Sequence, residues 1–168
     1  MQVAIVGNSG SGKSTLARRL AADTSIPVLD LDTIAWEPGQ IAVPRDPGEA
    51  AADVRNFCQA TEDWIVEGCY ANLIEAALLS GPQLLVLDPG IDQCTENCRS
   101  RPWEPRKYSS KEEQDEHLAF LLKWVAEYYS RADDMSLSAH KRVYKEYGGT
   151  KQWLSSLTDQ VQLADETA

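Results

Sequence analysis

The residues best suited to chemistry stand together near the start of the chain: Gly7-Asn8-Ser9-Gly10-Ser11-Gly12-Lys13-Ser14. They satisfy G-x-x-x-x-G-K-[ST], the Walker A pattern, at every fixed position. The glycines let a backbone turn close to phosphate oxygens where side chains would collide. Amides of the loop and of the helix that Lys13, Ser14 and Thr15 begin then point at the anion. Lys13 brings a point charge to the outer phosphates, and the Ser14 hydroxyl is a ligand for Mg²⁺. The spacing therefore implies a nucleotide held as its magnesium complex. No N-K-x-D guanine-reading motif occurs, which favours ATP.

Carboxylates are the second group. The run Ile26 to Leu31 ends in the triplet Asp30-Leu31-Asp32, and Glu67 follows Trp64-Ile65-Val66. Asp88 ends Leu84-Leu85-Val86-Leu87. In an open α/β sheet, ligands sit beyond the carboxyl ends of the strands. An acid there holds Mg²⁺, directly or through water, or accepts the proton of a hydroxyl under attack. Asp32, further past its strand than Asp30, is the better placed for the proton. For Mg²⁺, Asp88 fits the pattern of four apolar residues and an aspartate, and Glu67 is the alternative.

A third group is cationic. Between Cys98 and Lys111 stand Arg99, Arg101, Arg106, Lys107 and Lys111, against the single acid Glu104. Such an island, in a chain of net charge −10, suits one specific anion more than a diffuse nucleic-acid surface. Arg99 and Arg101 are the candidates for gripping a transferring phosphoryl group. Cys94 and Cys98 lie four apart, on one side of any helix. A closed zinc site wants four ligands, and only His117 and His140 stand by as distant helpers. Two half-buried thiols is the simpler reading.

These groups need a scaffold. Val3 to Val6, Ile26 to Leu31, Trp64 to Val66 and Leu84 to Leu87 read as short buried strands. Helices read over Lys13 to Ala22, from the Asp46-Pro47-Gly48-Glu49 start onward, and over Leu73 to Leu79. That alternation argues an α/β protein with a parallel sheet covered on both faces. Residues 90–150 break the rhythm. Ser110 opens a capping box for a helix carrying Leu118, Leu121, Leu122, Val125, Tyr128 and Tyr129 to about Arg131. A second helix spans about Ser136 to Tyr147, and a last strand lies around Lys151 to Leu154. The region from about 94 to 135 reads as a helical insertion in one domain, residues 1–168.

GNSGSGKSTLARRL, PVLDLDTIAW and DWIVEGCYAN resemble the small P-loop kinases of the adenylate-kinase-like group. The branch they most resemble is the topology-modulation proteins; shikimate kinase is a more distant likeness. The resemblance covers residues 1 to about 90, and more loosely 140–155. It implies a three-layer P-loop NTPase fold with strand order 2-3-1-4-5. That order puts the third strand beside the loop strand and favours Glu67 over Asp88 as the Mg²⁺ partner. It also implies that the insertion is a lid, and that Asp30 and Asp32 sit near metal and acceptor. One departure stands out. Adenylate kinases carry an arginine just after the third-strand acid, to grip an acceptor phosphate. Here the stretch is Glu67-Gly68-Cys69-Tyr70-Ala71-Asn72. The change argues against a nucleoside monophosphate and leaves Tyr70 and Asn72 to contact something else.

The rest of the composition narrows the class. The chain has 168 residues, 43% of them hydrophobic, with no apolar run near the ~18 residues of a membrane span. A start that runs straight into a strand, together with four cysteines, leads to the expectation of a reducing, cytoplasmic setting and free thiols. The expected function is an ATP-dependent phosphotransferase acting on a small acceptor. The alternative is a P-loop ATPase that works as a slow regulatory switch. A nucleic-acid regulator is disfavoured by the negative charge.

Overall fold

The computed structural model describes residues 1–22, 24–37, 43–103, 109–156 and 159. In chain order the elements are β1 (Gln2–Gly7), α1 (Lys13–Leu20), β2 (Val28–Asp30), a 3₁₀ turn (Leu31–Thr33), α2 (Pro47–Ala60), β3 (Trp64–Gly68), α3 (Ala71–Leu78) and β4 (Gln83–Leu87). There follow α4 (Ile91–Arg99), α5 (Lys111–Ala126), a second 3₁₀ turn (Glu127–Tyr129), α6 (Leu137–Glu146) and β5 (Lys151–Leu154).

The five strands form one parallel sheet in the order β2-β3-β1-β4-β5. Alternate side chains enter two cores, as strand periodicity requires. Ala4, Val6, Trp64, Val66, Leu84 and Val86 pack toward α2, α3 and α6, where they meet Val54, Ile74 and Val143. Val3, Ile5, Ile65, Leu85 and Leu87 pack toward Leu16, Ala17 and Leu20 of α1. Helices therefore cover both faces, and the expected strand order is the observed one. Burying each such aliphatic side chain is worth ~1.5–3 kcal/mol, so the sheet is a stiff base for what stands on its carboxyl edge.

Several elements differ from expectation in detail. The second strand is only three residues long, because Asp30 Oδ1 accepts from Asp32 N at 2.9 Å and turns the chain into a 3₁₀ helix. At the start of α2, Asp46 accepts from Glu49 N at 3.0 Å, as a cap should. Ser110 likewise caps α5 through Glu113 N. The Glu113 carboxylate, however, reaches Ser109 N and its hydroxyl, one residue earlier than a capping box would have it.

The larger difference is α4. The segment after β4 is a helix, and α5 lies along it with Val125 buried against Cys94 and Cys98. Both thiols are buried rather than half-buried, at 1% and 3% exposure. Burial pushes the Cys94 thiol up to about 12, so it stays protonated and behaves as a small apolar group. All four cysteines are free, and no group of three or more His, Cys, Asp or Glu is arranged to hold a metal among the described residues. No helix there is long and apolar enough to cross a membrane.

Candidate functional site

The phosphate loop joins β1 to α1 at the carboxyl edge of the central strand. Gly10 and Gly12 take φ of 79° and 97°, a region that L side chains rarely occupy. At Gly10 a side chain has no room either. A Cβ there would run into the Cys94 carbonyl and come within 2.8 Å of Cys98 Sγ. The loop is thus seated directly on α4. Asn97 Nδ2 fixes that seat by donating to Gly10 O at 2.8 Å. Asn8, 1% exposed, ties the other side of the loop to the insertion, donating from Nδ2 to Val125 O at 3.0 Å. Its Oδ1 accepts from Ser9 N at 2.8 Å. No side chain caps the first turn of α1, whose amides are left for an anion.

Lys13 is buried and donates to Asn8 O at 2.9 Å. Burial alone would lower its pKa; Cys69, Glu67 and Asp32 around it outweigh that and raise it above the usual lysine value. Lys13 is therefore held charged among acids at neutral pH. Ser14 Oγ donates to Glu67 Oε1 at 2.6 Å. Glu67, 4% exposed, is paired across the sheet with Asp30 of β2 and Ile5 of β1. Burial raises its pKa, against the opposing pull of Lys13 and the Ser14 hydrogen bond. A hydroxyl and a carboxylate oxygen side by side are hard donors suited to Mg²⁺, with phosphate oxygens and water to complete the shell. Glu67, rather than Asp88, is therefore the acid set against Ser14. Asp88 accepts instead from the hydroxyl of Tyr129, in the second 3₁₀ turn.

Asp32 lies on the same side of β1 as Glu67, in the turn that follows β2. Its Oδ1 accepts from the Tyr70 hydroxyl at 2.8 Å, and Tyr70 accepts from Trp36 Nε1 at 2.9 Å. The two rings meet edge to face, with centroids 6.2 Å apart. Tyr70 is held neutral, its pKa raised by burial and by Asp32. Asp30, by contrast, is spent on capping the turn that carries Asp32.

Of the two arginines, Arg101 lies toward the loop, its Nη2 3.5 Å from Ser9 Oγ, at the limit of a hydrogen bond. Arg99 is exposed at the end of α4. Arg106 and Lys107 fall outside the described residues.

Three features had no clear sequence signal. Cys69 sits beside Lys13, its thiol pKa raised by burial. His140, fully buried in α6, bridges the Tyr128 hydroxyl at Nδ1 (2.8 Å) and the Cys69 carbonyl at Nε2 (2.7 Å). A carbonyl only accepts, so Nε2 carries the proton and Nδ1 takes the tyrosine's. Burial lowers His140 to about 4 and keeps it neutral. Asp134, third, caps α3 from outside: its carboxylate accepts from Asn72 N at 3.1 Å and its carbonyl from Ala71 N at 3.1 Å.

No protein-family model matches the chain, and no curated protein matches it in sequence. Solved structures do. A sugar kinase from a Janibacter species superposes with a TM-score of 0.54 at 16% identity, covering 98% of this chain and 90% of that one. A gluconokinase from Sinorhizobium meliloti gives 0.53 at 17% identity, with 98% and 94% covered. Shikimate kinase from Acinetobacter baumannii, in complex with shikimate, gives 0.54 at 14%, with 98% and 88% covered. The chain has a kinase-like P-loop fold. The likeness runs over nearly the whole of both chains.

Proposed function

We propose that the protein is an ATP-dependent phosphotransferase that moves the γ-phosphoryl group of Mg·ATP to a hydroxyl of a small acceptor. The observation that carries this is the gathering of Ser14, Glu67 and Asp32 around the charged Lys13 at the carboxyl edge of the sheet. Residues Gly7 to Thr15 cradle the phosphates with backbone amides, and Lys13 faces their outer oxygens. Ser14 and Glu67 hold Mg²⁺; when bound, the ion offsets negative charge on the phosphates. Asp32, fixed by Tyr70, accepts the proton of the attacking hydroxyl. As the new O–P bond forms, the bond to the β-phosphate oxygen breaks and its electrons leave with ADP.

The insertion at 94–135 serves as a lid. Its root, α4, is fixed to the loop through Gly10 and Asn97. Arg101, already beside Ser9, reaches the phosphates with little movement, and Arg99 joins on closure. Closing excludes water and suppresses idle hydrolysis. Within the small P-loop kinases, the segments 7–20, 27–36 and 63–72 support a place near the topology-modulation branch, in a cytoplasmic setting. ADP release measured with and without a panel of small hydroxyl compounds tests the reading. Stimulation by an acceptor is expected; a flat rate across the panel means a nucleotide switch instead.

A further inference from the structure

The N-cap position of α3 is held by Tyr70, whose side chain makes no cap hydrogen bond. Serine, threonine, aspartate or asparagine is the usual choice there. The amides that Tyr70 leaves open are met from elsewhere. Ala71 N donates to the Asp134 carbonyl, Asn72 N to both Asp134 carboxylate oxygens at 3.1 Å, and Leu73 N to Asn72 Oδ1 at 2.7 Å. With the helix end closed in this way, the Tyr70 side chain crosses to the turn after β2, where its hydroxyl donates to Asp32 Oδ1 at 2.8 Å.

The direction of that bond is fixed from behind. Trp36 Nε1 lies 2.9 Å from the Tyr70 oxygen. An indole N–H only donates, so the tyrosine oxygen accepts there and its single proton points at the carboxylate. Burial and the Asp32 charge raise the Tyr70 pKa, so the phenol keeps that proton. Trp36 is itself pinned by its neighbours. Glu37 N donates to Val43 O at 2.8 Å, and Arg45 N donates to Ala35 O at 3.1 Å. Arg45 Nη1 also joins Ile34 O, at 3.2 Å, to Asp53 of α2, at 2.8 Å. The turn that carries Asp32 is as closely set. A Cβ on Gly68 would come within 2.7 Å of Leu31 Cβ, so the end of β3 and this turn meet with no room for a side chain between them.

We propose that Tyr70 and Trp36 are positioning residues for the general base: Trp36 aims the tyrosine proton, and Tyr70 holds the Asp32 carboxylate in one orientation and in its ionised form. The proposal rests on the kinase reading above, which gives Asp32 the proton of the attacking hydroxyl. A hydrogen bond donated to the charged form of an acid favours that form. The other charged or titratable groups around Asp32 are Lys13 of α1, Asp30 and Glu67 on β2 and β3, and Cys69. Lys13 favours the carboxylate and the neighbouring acids oppose it, so the tyrosine proton adds to the lysine's side.

A direct titration tests this without an acceptor. The full-length protein, isotope-labelled at its aspartate carboxyl carbons, is titrated by NMR, with Asp32→Asn identifying the Asp32 signal and thermal melts checking each fold. In Tyr70→Phe the Asp32 midpoint should rise by about half a pH unit or more, and in Trp36→Phe by less. An unchanged midpoint in folded Tyr70→Phe overturns the proposal. Should Tyr70→Phe not fold, Trp36→Phe, which keeps the hydroxyl, decides in the same way. Turnover supplies the second readout, with Mg·ATP and the panel of small hydroxyl compounds. For a compound that stimulates ADP release, Tyr70→Phe should lower kcat ~10-fold or more and leave the KM for Mg·ATP within about twofold. The acid limb of its kcat profile should move up with the NMR midpoint. A folded variant with the wild-type kcat and acid limb overturns the proposal and leaves the kinase reading standing. If no compound stimulates ADP release, the kinase reading falls and the proposal with it.

Discussion

Glu67 and Asp32 both stand near Lys13, and the proposed mechanism gives them different tasks. Glu67 is hydrogen-bonded to Ser14, whose hydroxyl the proposal gives to Mg²⁺, so on that reading it serves nucleotide binding. Glu67→Gln keeps the shape and loses the charge. It should weaken the Mg²⁺ dependence of ADP release, raising the ion concentration needed for half-maximal rate by ~10-fold or more, the scale of a lost charged contact in a site. Asp32→Asn should leave ATP affinity unchanged and lower kcat ~10²-fold, the usual scale for a general base. The two variants are separated by measuring nucleotide affinity and turnover on the same preparations. If Asp32→Asn turns over at the wild-type rate, Asp32 only braces Tyr70. The loop, Asp32 and Glu67 are legible in the sequence because each is set by a local motif or a strand end. Asp134 and Cys69 are not, because their roles depend on a contact across more than fifty residues.

At the scale of elements, α4 is the instructive case. Its residues, Ile91-Asp92-Gln93-Cys94-Thr95-Glu96-Asn97-Cys98-Arg99, offer no wide apolar stripe. The i, i+4 cysteines were the signal, and cysteine spacing is more readily read as metal chemistry than as packing. The helix exists to seat the loop, and Gly10→Ala tests that. Backbone strain alone at positive φ costs ~1–2 kcal/mol, and the clash with α4 adds to it. Chemical denaturation should show a loss of about 2 kcal/mol or more, with ATP binding impaired in parallel. The contact of α6 with the Cys69 carbonyl has a pH signature. His140 is lowered from 6.5 to about 4 by burial, so the unfolded chain takes up a proton first as pH falls. Its stabilisation is complete above ~6.5 and is lost between there and about 4, amounting to about 3 kcal/mol at most. His140→Gln should flatten that part of the melting-temperature profile. A wild-type profile with the same slope as the variant over this range would mean that His140 titrates normally.

For the molecule as a whole, the parallel sheet follows from the strand–helix alternation and the continuously buried runs of β1, β3 and β4, while its strand order is what the resemblance to the small P-loop kinases implies. The attachments of the 94–135 region are not legible beforehand, because they are polar and long-range: Asn8 to Val125, Asn97 to Gly10, Asp134 to Asn72. On the proposed lid reading, those bonds form the fixed root of the cover. Amide hydrogen exchange at residues 98–103 should slow when a non-hydrolysable ATP analogue binds, and exchange that stays the same would remove the lid from the account. Everything above depends on the loop binding Mg·ATP through Lys13. Calorimetric titration of Mg·ATP into the wild-type protein and Lys13→Ala tests this most directly. The account predicts millimolar or tighter binding to the wild type and its loss in the variant; equal binding by both, or none by the wild type, would contradict it.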